Sequence, residues 1–79
     1  MTWMIEVYYL PPVDAARETR LDVLVARYGG RLDFREAPEV DSSPNVCLTY
    51  EFPELARAEA AAGELRAAGA HVEGPYEYT

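Results

Sequence analysis

The only histidine of the chain, together with the charged residues predicted to lie near it, is best suited to acid–base chemistry. His71 begins a short predicted strand at residues 71–73, and Glu6 lies in the first predicted strand. If these strands are neighbours in a sheet, the Glu6 carboxylate could orient or charge the imidazole, which titrates near neutral pH. Arg35 is predicted on the same face and completes the candidate catalytic set. The alternative, which we favour, is an exposed strand histidine with a salt-bridge neighbour.

Thiol chemistry has little support in the sequence. Cys47 is the only cysteine, which excludes an intramolecular disulfide and a CxxC metal or redox site. It lies in the middle of a predicted strand, where thiol nucleophiles are unusual. We therefore interpret Cys47 as a packed or partly covered thiol.

The segment 39–44 begins like a calcium-binding loop, because acidic and hydroxyl side chains alternate along it. Pro44 occupies the position of the required glycine, however, and Tyr50 that of the terminal glutamate. The HExxH, GxGxxG and P-loop motifs do not occur in the sequence. We therefore predict a solvated acidic loop, no metal site and no cofactor.

Composition argues against several classes of partner. The 79 residues contain 14 acidic and seven basic side chains, the latter all arginine, for a net charge of −7. This charge argues against binding to a nucleic-acid backbone or to anionic lipid. No apolar run approaches the about 18 residues of a membrane-spanning helix, and the N-terminus lacks the basic region of a secretory signal. We expect one domain, residues 1–79, in the reducing cytoplasm.

Four segments have the alternation or the β-branched and aromatic content of strands. They are residues 3–10, 31–36, 45–52 and 71–73. The tail after Gly74-Pro75 is predicted to extend as an edge or to wrap the surface. The segment 45–52 has the clearest alternation of the four.

Two segments have helical character. Asp14 is a good N-cap for a helix over residues 14–28, and Pro53 suits the first turn of a helix over 53–68. The proline-bearing segment 37–44 between the second and third strands is predicted to be a loop. The order resembles the ferredoxin-like βαββαβ fold, an α+β sandwich with two helices on one face of a four-stranded antiparallel sheet. That resemblance implies the sheet order 4-1-3-2.

Strand alternation assigns side chains to the two faces of the predicted sheet. Facing the helices we expect Trp3, Ile5, Val7, Leu32, Phe34, Val46, Leu48, Tyr50, Phe52 and Val72. The opposite face is expected to carry Met4, Glu6, Tyr8, Arg31, Asp33, Arg35, Cys47, Thr49, Glu51, His71 and Glu73. RNA recognition on such a sheet needs aromatic side chains on the uncovered face of the third strand, whereas Tyr50 and Phe52 are predicted beneath the helices. We therefore expect no binding to RNA or DNA.

The sequence predicts a small non-catalytic binding or regulatory module that forms a homodimer. The thin core of a 79-residue chain benefits from association, and the sheet face or the tyrosine-bearing edge would make the contact. A small molecule or another protein is the expected ligand. The residues expected on the ligand or partner face are Met4, Glu6, Tyr8, Arg35, Thr49 and His71. The alternative is a small enzyme that uses Glu6, His71 and Arg35 on that face.

Overall fold

The computed structural model describes residues 1–78, which form one four-stranded sheet and three helices. In chain order the elements are β1 (Thr2–Tyr9), α1 (Ala15–Arg27), β2 (Arg31–Glu36), α2 (Pro38–Asp41), β3 (Val46–Phe52), α3 (Leu55–Ala67) and β4 (His71–Tyr78). All neighbouring strands are antiparallel, in the order β2-β3-β1-β4. The protein therefore has an α+β architecture, and the strand order is the predicted one read from the opposite edge.

One face of the sheet forms the core. Val46, Leu48, Tyr50 and Phe52 of β3 are each at most 1% exposed, which confirms the predicted alternation of this strand. Ile5 and Val7 of β1, Leu21 and Val25 of α1, and Ala58, Ala61, Ala62 and Leu65 of α3 belong to the same buried cluster. Both long helices therefore cover the same face of the sheet.

Helix α1 begins where the sequence predicts. The Asp14 side chain accepts a hydrogen bond of 3.0 Å from the backbone N–H of Arg17, which satisfies one of the free donors of the first turn. After the helix, Gly29 adopts the left-handed conformation with φ of +81°, which glycine tolerates without steric penalty. The predicted N-cap of this helix is confirmed, and its predicted range of 14–28 agrees with the observed one to within a residue at each end.

Helix α3 packs on the sheet through small side chains. Ala58, Ala61 and Ala62 are fully buried, and their small size lets the helix backbone approach the strands closely. The helix begins at Leu55 with Glu54 as its N-cap, so Pro53 precedes the cap and does not lie in the first turn as predicted. The extended backbone of Glu54 leaves Pro53 outside the helix.

Two segments have more regular structure than the sequence predicted: residues 38–41, predicted as a loop, and the tail after Gly74-Pro75, for which an edge strand was one of two predicted alternatives. Residues 38–41 form one helical turn, in which the Asp41 carboxylate accepts hydrogen bonds from the backbone of Ala37 and Ser43 at 3.2 and 3.1 Å. Strand β4 continues through Gly74-Pro75 to Tyr78. It lies at an edge of the sheet, where proline, which cannot donate a backbone hydrogen bond, is tolerated.

A bulge at Asp33 reverses the two faces of β2. Leu32 is paired with Tyr50, but the next paired residue of β2 is Phe34, opposite Thr49, so Asp33 is an extra residue in the strand. Because side chains alternate, every β2 residue after the bulge points to the side opposite its predicted one. The predicted placements of Phe34 beneath the helices and of Arg35 on the uncovered face are both wrong.

Within residues 1–78 no helix has the length and apolar character needed to cross a membrane.

Candidate functional site

The face of the sheet opposite α1 and α3, here called the open face, is organised in rows that run across the four strands. From β2 to β4 these rows are Glu36, Cys47, Tyr8 and His71; then Phe34, Thr49, Glu6 and Glu73; then Arg31, Glu51, Met4 and Tyr76. Five of the six predicted face residues are present in these rows. Arg35 is absent from them, whereas Phe34 joins them.

His71 lies at the start of β4 and contacts Tyr8 and Glu73. Its ring meets the Tyr8 ring edge-on, with centroids 5.5 Å apart and an interplanar angle of 86°. Its Nε2 lies 3.4 Å from a carboxylate oxygen of Glu73, and the His71 side chain is 67% exposed. Glu6 is opposite Glu73 in the register and accepts a weak 3.9 Å hydrogen bond from the Cys47 thiol. The carboxylate that contacts the histidine is therefore Glu73 and not the predicted Glu6.

Arg35 lies on the other face of the sheet, where it links β2 to α1. Its guanidinium donates to both carboxylate oxygens of Glu18, at 2.7 and 3.0 Å, and lies 2.6 Å from a carboxylate oxygen of Glu39. The Tyr9 hydroxyl also donates a hydrogen bond to Glu18. Since the sheet lies between Arg35 and His71, the predicted set Glu6, His71 and Arg35 is not assembled.

The ion pair beneath the helices makes the stability of the fold depend on pH. Hydrogen bonds from Arg35, the largest effect, and from Tyr9 lower the pKa of the Glu18 carboxyl from its ordinary value of 4.5, although partial burial opposes them. The stabilisation from a carboxyl with a lowered folded pKa is complete above its unfolded pKa. It is lost as the pH falls through the folded pKa.

We expect Glu18→Gln to lower the free energy of unfolding by about 1 kcal/mol at neutral pH, because it removes the charge from these hydrogen bonds. The difference from the unchanged protein should shrink as the pH falls below about 4.5. Urea unfolding at about pH 7 and about pH 3 measures both effects. Glu59→Gln, an exposed position on α3 with the same change of charge, is the matched control. A loss of stability that is equal at both pH values would contradict the assignment.

The centre of the open face is buried although no helix covers it. Thr49 is 7% exposed and Cys47 is 5% exposed, since each lies between side chains of both neighbouring strands. Burial, followed by the nearby charges of Glu6 and Glu36, raises the pKa of the Cys47 thiol. Cys47 is thus a covered, protonated thiol, which confirms its predicted packing role.

A cleft opens at the end of the sheet where β1 ends and β3 and β4 begin. Its volume is about 510 Å³, and it is lined by Tyr8, Tyr9, Leu10, Asn45, His71 and Glu73. Burial and a hydrogen bond with the Cys47 thiol raise the pKa of Tyr8, so its hydroxyl is neutral. Tyr8 and His71 were both predicted on the uncovered face, but the cleft between them was not predictable, because the ends of three strands must converge to form it.

Tyr78 connects the two edge strands of the sheet. It is paired with Thr2 at the end of β4, and its hydroxyl donates a hydrogen bond to Asp33 in β2. Strands β1 and β3 lie between these two edge strands in the sheet order, so this hydrogen bond links segments that do not pair with each other. This contact was not predicted, because its two residues are 45 positions apart in the sequence and no local pattern indicates that they meet.

Comparison with protein-family models and with curated proteins gives no match from which a role could be transferred. No protein-family model matches the chain, and no curated protein matches it. Among residues 1–78 no group of three or more His, Cys, Asp or Glu side chains is arranged to hold a metal ion. Proposals about function therefore depend on the geometry of the open face and of the cleft at its end.

Proposed function

We propose that the chain is a ferredoxin-like, non-catalytic binding module that forms a homodimer through the open face of its sheet. The ferredoxin-like assignment is supported by two strand–helix–strand units, by the strand order β2-β3-β1-β4 and by two long helices on one face. Helix α2 is then an addition between the two units. This assignment concerns the fold, and the function is argued from the open face itself.

The observation that carries the proposal is the exposure of Phe34. The bulge turns this ring away from the helices, and 56% of it is exposed. Tyr76 on the same face is 47% exposed, and Met4 beside it is only partly buried. Burial of apolar surface of this kind contributes about 25 cal/mol per Å² to the free energy of association. A second copy of the chain supplies an equally apolar face.

The dimensions of the molecule suit this contact. Its principal extents are 32 × 26 × 16 Å, and a two-layer molecule is thinnest along the direction normal to its sheet. The open face thus offers an area of roughly 800 Å², which is the usual contribution of each partner to a stable interface. Two sheets of this kind pack face to face about 10 Å apart.

Charge also favours a two-fold arrangement. A two-fold axis parallel to the strands places β2 of one copy over β4 of the other. The Arg31 side chain, 73% exposed on β2, then lies over the partner's β4 at the row of Tyr76, one row along the strand from Glu73. Against this stands the net charge of −7 on each chain, which repels a second copy at low ionic strength.

Analytical ultracentrifugation at about 10–100 µM is the direct test. We expect a dimer that tightens with added salt, because screening reduces the repulsion between two chains of charge −7. Phe34→Ala should weaken the dimer at least about tenfold, which corresponds to about 1.4 kcal/mol. Val23→Ala removes a side chain that is 55% exposed on α1, away from the open face, and should leave the dimer unchanged. A monomer of 8.8 kDa at every salt concentration would overturn the proposal.

A further inference from the structure

We propose that the cleft lined by Tyr8, Tyr9, Leu10, Asn45, His71 and Glu73 binds a small organic cation, an amine, amidine or guanidine with an apolar body. All of the lining belongs to one chain, but Tyr8, His71 and Glu73 are also open-face residues, so a bound cation and a second copy of the chain would compete for them. The ligand would bind at the end of the open face that is far from Met4 and Tyr76.

The cleft has the size and lining of a small-molecule site. Its volume of about 510 Å³ lies within the usual range for such sites, roughly 300–1,000 Å³. The Tyr8 ring and Leu10, which is 76% exposed, form an apolar wall, whereas the Tyr9 ring lies on the helix side of the sheet. Asn45, His71 and Glu73 add a few polar groups that could orient a ligand. This combination favours a ligand with an apolar body and one polar or charged end.

The sign of that charge follows from the cross-strand register. Glu6 and Glu73 are directly opposite each other on β1 and β4, and like charges in this position destabilise a sheet. Within residues 1–78 neither carboxylate forms a salt bridge with an arginine, because Arg31 and Arg35 pair with acids elsewhere. A ligand cation beside Glu73 would relieve the repulsion between the two carboxylates, whereas an anion would add to it.

The aromatic wall also favours a cation. The face of a tyrosine ring attracts positive charge, and Arg17 already lies 4.8 Å from the centre of the Tyr9 ring. Since the Tyr9 ring lies on the helix side of the sheet, where it contacts that arginine, we assign the ligand to Tyr8, whose ring borders both His71 and the carboxylates. The overall charge of −7 attracts cations towards the cleft and outweighs the single guanidinium of Arg17.

Benzamidine and benzoate are suitable probes, because they have nearly the same shape and opposite charge. Each is titrated into the ¹⁵N-labelled chain, and the amide signals are followed by two-dimensional NMR. We expect benzamidine to give saturable shifts at Tyr8, Asn45 and Glu73, with a dissociation constant of about 1 mM or lower. Benzoate should bind at least about tenfold more weakly. No saturable shift with benzamidine up to about 10 mM, or equal binding of both probes, would overturn the proposal.

Two variants with the same change of charge distinguish binding in the cleft from non-specific attraction of cations by the negative net charge. Glu73→Gln should weaken benzamidine binding at least about fivefold, because it removes the carboxylate that faces the ligand. Glu77→Gln changes an exposed residue of the same strand that points to the opposite side of the sheet, and it should have no effect. Equal weakening by both variants would mean non-specific attraction and would contradict the site. Sedimentation of the same samples reports the dimer separately, so either proposal can fail alone.

Discussion

Replacing Leu48 with alanine is expected to lower the free energy of unfolding by about 2–5 kcal/mol. Leu48 lies in the central strand β3, is 1% exposed, and is paired with Val7 on one side and Arg35 on the other. Removal of its side chain leaves a cavity in the middle of the core, where the surrounding strands have little freedom to move into it. Small domains have total stabilities near the low end of about 5–15 kcal/mol, so this loss would unfold much of the population.

Urea unfolding curves followed by circular dichroism measure this loss directly. Val40→Ala, at a position that is 70% exposed on α2, serves as the matched control and should change stability by less than about 0.5 kcal/mol. If Leu48→Ala changed the stability as little as the control does, the assignment of Leu48 to the core would be wrong.

The second large effect is expected at Gly30, which connects α1 to β2. A Cβ atom added there would lie 2.5 Å from Cε2 of Phe52 and 2.6 Å from Cγ1 of Val25. Both neighbours are fully buried, so neither has room to move without disturbing the core. We expect Gly30→Ala to lower the free energy of unfolding by about 1–3 kcal/mol or more, through overpacking.

Gly63 provides the opposite case in the same protein. It lies within α3, and an added Cβ atom would meet no other atom within 4 Å. Gly63→Ala should therefore raise stability by about 0.5–1 kcal/mol, because alanine loses less backbone entropy than glycine when a helix forms. Thermal melts of the two single variants should move in opposite directions relative to the unchanged chain. Melting temperatures that rise together would show that the space around Gly30 is not restrictive.

Features set by local sequence were predictable. The alternation of Val46, Leu48, Tyr50 and Phe52 places all four beneath the helices, because each position depends only on the two-residue period of a strand. The start of α1 is similar, since Asp14 and the N–H that it binds are three residues apart.

Features set by pairing between distant segments were not predictable. The bulge at Asp33 depends on how β2 meets β3, and nothing in the alternation of residues 31–36 indicates an extra residue. This one residue moves Arg35 to the helices and Phe34 to the open face. The predicted contact between Glu6 and His71 is wrong for a related reason: the register of β4 places Glu73 opposite Glu6. The cleft forms only where the ends of three strands meet, so no single segment of the sequence indicates it.

The two irregularities of the sheet lie on its two outer strands. The bulge at Asp33 interrupts β2, and the register shift at Gly74-Pro75 interrupts β4. A regular outer strand exposes unpaired N–H and C=O groups in a row, on which the backbone of another molecule could continue the sheet without limit. Here the row is broken on both sides, although β2 exposes Leu32 and Phe34. The two interruptions therefore hinder the addition of a further strand at either edge, even where apolar side chains are exposed.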